Sequence, residues 1–159
     1  MSKKLSSSAK KVQDALISHG LSCQVLELPS TTRTAQEAAQ TIGCQVGQIV
    51  KSLVFMGKQT QKPILVVASG SNRVNEKKLS KLVSEPIKRA NADFVRKKTG
   101  FAIGGVPPVG HSERLETFID EDLLKFQTIW AAAGTPNAVF KLTPNDLKII
   151  TKGKTVSIT

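Results

Sequence analysis

The sequence predicts a single α/β domain of the α+β type, with a mixed sheet of roughly seven strands and five short helices. Three observations carry that expectation. Strand-like and helix-like stretches interleave without strict alternation, which excludes a doubly wound nucleotide fold. No internal repeat or long Pro/Gly linker divides the chain, so residues 1–159 read as one domain, with residues 1–8 as a flexible arm. The hydrophobic fraction of 40% in 159 residues is enough for one buried core and excludes a disordered basic tail.

Each element has a local cause. Ser6 to Ser8 offer an N-cap, Ala9, Val12, Ala15 and Leu16 fall on one helical face, and Gly20 stops the helix. Residues 21–28 read as a strand ending at Pro29. Thr34 and Glu37 form a capping box that opens a small-residue helix (Ala35, Ala38, Ala39, Ile42) closed by Gly43. Residues 49–56 and 64–68 form a strand pair joined by a polar loop. Asn75 caps a basic helix with Leu79, Leu82 and Val83 inward, and a short strand follows near Ile87. Asn91 caps the next helix, residues 92–98, which Gly100 ends. Residues 101–103, 115–119, 128–132 and 138–142 read as strands, with a helical turn capped by Asp120 between the second and third of these. Thr143 and Pro144 start the last helix as N-cap and N1, and residues 155–158 close the chain as a strand.

The charge is uneven. Twenty-three Lys and Arg against twelve Asp and Glu give +11, which points to a polyanionic partner. Lys3, Lys4, Lys10 and Lys11 make an acid-free start. Residues 73–98 concentrate Arg73, Lys77, Lys78, Lys81, Lys88, Arg89, Arg96, Lys97 and Lys98 against Glu76, Glu85 and Asp93. A Lys-rich helix can be a mere solvated face; two basic helices and a basic arm together favour a phosphate-contacting surface. With six Phe, one Trp and no Tyr, extended base stacking is not the expected mode.

Several classes fall away. The longest near-apolar run, residues 64–68, is far too short to span a bilayer. Cys23 and Cys44 form no CxxC, and with two histidines, His19 and His111, neither a disulfide framework nor a metal site is expected. The start is basic and Ser-rich like a transit peptide but holds no Arg, and it lacks the apolar core of a signal peptide. Reduced thiols and a cytoplasmic setting are the expectation. There is no GxSxG, and the Gly104–His111 loop carries no GK[ST], so a serine-nucleophile elbow and a P-loop at that loop are both excluded.

What remains for chemistry is spare. Period-2 alternation over residues 49–55 puts Lys51 on the face of Ile49, Leu53 and Phe55, one cation planted in an apolar strand. Two readings stand: a lysine snorkelling from the strand end, or a cleft lysine with an anionic or carbonyl partner. The run Gly104-Gly105-Val106-Pro107-Pro108-Val109-Gly110-His111 is either a structural turn or a loop that aims backbone N–H groups at an oxyanion. Residues 69–73 and 131–136 supply two further small-residue corners that could shape a tight pocket.

In order, Thr32-Arg33-Thr34-Ala35, Gln48 to Phe55, Ser69 to Val74, Gly104 to His111 and Trp130 to Pro136 resemble the YbaK/prolyl-tRNA-synthetase-associated domain family. These are free-standing relatives of the editing domain inserted in bacterial prolyl-tRNA synthetase. The resemblance spans about residues 6–155.

It implies a mixed, mostly antiparallel, partly closed sheet with peripheral helices, and an aminoacyl-tRNA deacylase that edits in trans without metal or cofactor. The implied substrate is tRNA carrying a wrong small amino acid: Cys, Ala, Ser, Thr or 2-aminobutyrate. The attacking group, water or the substrate's own thiol, stays open. Lys51 falls where the family's strand lysine orients the aminoacyl-adenosine end, and Gly104 and Gly105 where backbone amides hold the carbonyl. Thr34, Ser69, Gly70, Asn72, Val106, Pro107, Pro108, Gly110, His111, Gly134, Thr135 and Pro136 fall at implied substrate-binding positions. The nine cations of residues 73–98 would hold acceptor-stem phosphates. The implied partners are the tRNA 3′ end and an aminoacyl-tRNA synthetase, with no membrane, in a monomer or weak dimer. The charge alone leaves a non-catalytic tRNA-binding module or synthetase partner as the alternative.

Overall fold

The computed structural model describes residues 5–32 and 34–159. Lys3, Lys4 and Arg33 lie outside them. Eight strands, β1 (Val25–Glu27), β2 (Ile49–Gly57), β3 (Pro63–Ser69), β4 (Ile87–Arg89), β5 (Glu116–Asp120), β6 (Ile129–Ala132), β7 (Ala138–Leu142) and β8 (Lys154–Val156), form one mixed sheet. Its order is β1-β7-β6-β2-β3-β5-β8, with β4 paired to β2 off this path. Five helices surround it: α1 (Ser7–Ser18), α2 (Ala35–Ile42), α3 (Glu76–Val83), α4 (Ala92–Thr99) and α5 (Pro144–Thr151). Antiparallel ladders join β1–β7, β2–β3, β2–β4 and β6–β7; β2–β6, β3–β5 and β5–β8 are parallel. The expected partial closure is not a hydrogen-bonded one, since no ladder joins β1 to β8 among the described residues.

The caps were legible. Side chains of Ser6, Thr34, Asn75, Asn91 and Thr143 each accept a first-turn N–H. The box expected at Thr34 is half made: Thr34 Oγ1 accepts Glu37 N–H, but the Glu37 carboxylate accepts from Thr31 Oγ1 instead of closing back. At α5 the box is complete, because Asp146 Oδ2 accepts Thr143 N–H.

Two layers of core follow from strand alternation. On β3, Leu65 and Val67 face α1, α4 and α5 in one cluster with Val12, Leu16, Val95, Leu147 and Phe140; Ile64, Val66 and Ala68 face α3 with Phe55, Leu79 and Phe118. All five of those β3 residues are at most 1% exposed, so β3 is covered on both faces. Ala38 and Ala39 of α2 pack on Ile49 as a third, small cluster.

Two expected strands are revised. The first shrinks to Val25–Glu27, and residues 101–103 are not a strand. Phe101 is buried in the core, whereas Ala102 and Ile103 turn outward into a loop. Cys23 and Cys44 are free thiols, and among the described residues no helix is long and apolar enough to cross a membrane.

Candidate active site

The edge of β2 opposite β3 is shared by two partners and left open between them. β6 pairs only Ile49 and Val50, and β4 pairs Phe55 to Gly57, extended by Ala90 N–H to the Val54 carbonyl. The Ile49 carbonyl accepts Gly70 N–H on the β3 side, so strand alternation points the main-chain N–H and carbonyl of Ser52 into the gap. A cleft of about 480 Å³ opens there, lined by Thr32, Thr34, Ala35, Gln36, Ile49 to Leu53, Gly70, Ile103, Gly104, Val106 and Ala132. A side recess of about 80 Å³ adjoins it and shares Ser52, Leu53, Ile103, Gly104 and Val106, with Arg89, Ala90 and Val95 behind. Ser52 Oγ is buried without a hydrogen-bond partner among the described residues.

Lys51 projects from this open segment. Its Nζ donates to the Asn72 carbonyl at 2.6 Å. Burial, then the nearby Arg89 and Arg73 charges, hold its pKa below the usual lysine range, with Asp120 opposing them. Two of the three ammonium protons remain for a substrate.

Ile103, Gly104 and Val106 wall the cleft on the far side. Gly104 sits at φ +98° with open space where a Cβ would be, and its N–H has no partner among the described residues. Gly105 is behind it and is occupied: its N–H donates to the Ala102 carbonyl, and its own carbonyl accepts Gly134 N–H at 2.9 Å. The 134–136 corner is therefore a support. It also fastens the other rim, since the Pro136 carbonyl accepts both the N–H and the hydroxyl of Thr32. At Gly70 a side chain would collide with the Val46 carbonyl and Ala35, which lets the turn after β3 lie against α2.

The structure thus brings Lys51, Gly104, Thr34, Gly70 and Val106 into one cleft. Ser69, Asn72, Gly105, Gly134, Thr135 and Pro136 stand behind that wall. Pro108, Gly110 and His111 line a different cavity of about 330 Å³ with His19, Arg114 and Thr151, and Pro107 is buried. His111 Nε2–H donates to the Pro107 carbonyl at 2.6 Å, which ties the loop to itself. Sequence reasoning missed Thr32, Ala35, Gln36, Ile49, Val50, Ser52, Leu53, Ile103 and Ala132 as lining, and gave Asp120 only a capping role. No local signal marked Ser52, because the open edge that exposes its main chain is set by the distant strands β4 and β6.

Of the nine expected phosphate contacts, Arg73, Lys77, Lys78, Lys81, Lys88, Arg89, Arg96 and Lys97 are exposed. Arg73 and Arg89 are close enough to act on Lys51 electrostatically. Lys98 pairs with Glu113 at 3.6 Å, and Lys78 donates to Ser157 Oγ and to the Thr159 carbonyl.

His111 carries a stability prediction. Burial holds its pKa below the usual histidine range, with the Lys11 charge adding to this and the Pro107 hydrogen bond opposing it. The unfolded histidine protonates near pH ~6.5. The folded one protonates only at lower pH, so stability falls as pH drops through the interval between the two and is unaffected above it. Thermal melting between about pH 7 and about pH 5 should lose less on the acid side in His111→Gln than in the native protein. An unchanged slope would remove His111 from the acid response.

Residues 29–149 match the family model described as the aminoacyl-tRNA editing domain. The chain is 36% identical over 123 residues to the uncharacterized protein YwhH of Bacillus subtilis (strain 168), covering 77% of this chain and 78% of that one. It is 27% identical over 127 residues to an Enterococcus faecalis (strain ATCC 700802 / V583) protein named "Putative Cys-tRNA(Pro)/Cys-tRNA(Cys) deacylase EbsC", covering 79% and 77%. A solved structure described as "a putative trans-editing enzyme for prolyl tRNA synthetase" superposes with a TM-score of 0.93 at 48% identity, covering 98% of this chain and 99% of that one.

Proposed function

This chain belongs to the aminoacyl-tRNA editing domain family, and from that premise we propose that it deacylates, in trans, tRNA carrying a wrong small amino acid. The observation that carries the proposal is the Lys51 ammonium, set on the carbonyl of Asn72 behind the wall of a cleft that Gly104 also lines, with the Gly104 N–H unpartnered among the described residues. An aminoacyl ester is already activated, so it needs polarisation and placement more than strong acid–base help. Lys51 and Gly104 N–H would share the developing negative charge on the carbonyl oxygen. Water, or the thiol of a cysteinyl substrate, adds to the carbonyl carbon; the bond to the ribose oxygen breaks, and that oxygen takes up a proton.

The adjoining recess of about 80 Å³ supports a small side chain, in the manner of a second sieve. Cys, Ala, Ser, Thr and 2-aminobutyrate are the candidates. Arg73 and Arg89, beside Lys51, would meet the phosphates of the single-stranded 3′ end, and the lysines of α3 and α4 the acceptor stem. Delivery of the mischarged tRNA by an aminoacyl-tRNA synthetase in the cytoplasm fits this scheme.

The test is a panel of tRNAs charged with each of the five amino acids. Release of free amino acid well above the spontaneous rate is expected for at least one of them. Background hydrolysis on all five, with tRNA still bound, would leave only a binding module.

A further inference from the structure

Asp120 ends β5 and is 1% exposed, yet no lysine or arginine pairs with it among the described residues. A buried carboxylate is costly unless hydrogen bonds replace its water. Here Oδ2 accepts Ser69 N–H at 2.9 Å and Asn72 Nδ2 at 2.8 Å, and Oδ1 accepts Asp122 N–H at 3.0 Å. The second donation of Asn72 Nδ2 goes to Asp122 Oδ2 at 2.7 Å, so the amide is held by two carboxylates. Asn72 N–H is also fixed, donating to the Ser69 carbonyl at 2.9 Å. With its Nδ2 and N–H fastened, Asn72 keeps two acceptors, its Oδ1 and its main-chain carbonyl. The main-chain carbonyl is the one hydrogen-bond acceptor that holds Lys51 Nζ among the described residues.

We propose that Asp120 is a positioning residue for Lys51: it clamps Asn72, and Asn72 presents the main-chain carbonyl against which the ammonium is set. Neither carboxylate touches Lys51, so the cation is oriented by a neutral dipole and keeps its remaining donors for a carbonyl oxygen. The charged groups acting on Lys51 are Arg89 from β4, Arg73 from the turn after β3, and Asp120 from β5. A capping role alone would require the bond to Asp122 N–H and nothing of Asn72.

The inference rests on Lys51 as the polarising group, and the experiment separates the two. The full chain is compared with Asp120→Asn and Asn72→Ala on the charged tRNA that the panel selects. Alongside, the lysine Cε resonances are titrated by NMR, with Lys51 assigned through Lys51→Arg. In Asp120→Asn, kcat should fall roughly 10- to 100-fold with KM nearly unchanged. Its Lys51 resonance should titrate at lower pH than in the native protein, because the carboxylate that favours the ammonium is gone, and the alkaline limb of kcat should move with it. Asn72→Ala keeps both the carboxylate and the main-chain carbonyl but cuts the clamp, and should lose kcat with a smaller change in the titration. Should Asp120→Asn fail to fold, Asn72→Ala decides. A folded variant with native kcat and a native Lys51 titration overturns the proposal. If no charged tRNA is hydrolysed even by the native protein, the deacylase reading fails, while the Lys51 titration still tests the clamp.

Discussion

Lys51→Ala is expected to slow single-turnover deacylation by about 100- to 1,000-fold, the usual loss when one donor to a developing oxyanion is removed. The fold should survive the change. β2 stays paired to β3 from Val50 to Met56, and the only described hydrogen bond lost is the one to the Asn72 carbonyl. Leaving that carbonyl to water costs about 1 kcal/mol at most. Truncation also relieves the desolvation that depresses the lysine pKa.

That depression gives the prediction a second arm. The active form is the ammonium, which deprotonates at lower pH than an ordinary lysine, so the native rate should fall on the alkaline side earlier than a free lysine would dictate. Lys51→Arg stays charged throughout and should show no such fall, at a lower plateau because a planar fork replaces a compact ammonium. Rates measured across the alkaline range for the three proteins check this. Native-level turnover by a folded Lys51→Ala protein would exclude Lys51 from the mechanism.

Gly105→Ala should show the next largest effect, on stability and turnover together. A Cβ there would lie 2.8 Å from Thr135 N, 2.9 Å from the Gly134 carbonyl carbon and 2.9 Å from Thr135 Cα. All three are backbone atoms with no rotamer to give way. The loop must lift off the corner and lose the bond from Gly134 N–H to the Gly105 carbonyl. Overpacking of this kind costs about 1–3 kcal/mol. Because Gly104 rides on the displaced segment, its N–H leaves the cleft, and turnover should fall well beyond what the loss of folded protein explains. Denaturant melting and single-turnover kinetics on the same sample separate the two effects. Retention of both stability and rate would mean that the loop is not pressed on this corner in solution.

The fold was legible where causes are local. Caps at Ser6, Asn75, Asn91 and Thr143 announce helix starts, and the apolar run of residues 64–68 announces a strand, which as β3 is buried on both faces. It was illegible where partners are distant. Nothing near β2 says that its second edge is split between β4 and β6, and that split makes the cleft. Asp120 meets Ser69 and Asn72 across 51 and 48 positions of chain, so its sequence neighbourhood shows only a turn cap. Phe101 to Ile103 misled because an apolar triplet between glycines suits a strand as well as a loop; burial of Phe101 and the 58% exposure of Ile103 show a loop with one anchor and one outward side chain. His111 follows the glycine loop in sequence, yet the chain turns after Pro108 and carries it into another cavity.

The open segment of β2 has a consequence for how this molecule avoids others. Unpaired strand edges invite foreign strands, and an edge that is long and flat seeds aggregation. Here the vacancy runs for three residues, Lys51 to Leu53, between two protein strands that already occupy its ends. A second polypeptide would need several successive pairs to hold, and β6 and β4 stand in the way. A piece of backbone one residue long needs one, and the aminoacyl end proposed above as substrate is of that length. The interruption thus filters visitors by length before any side chain is read: a pairing chain is refused, whereas a single residue meets no such bar.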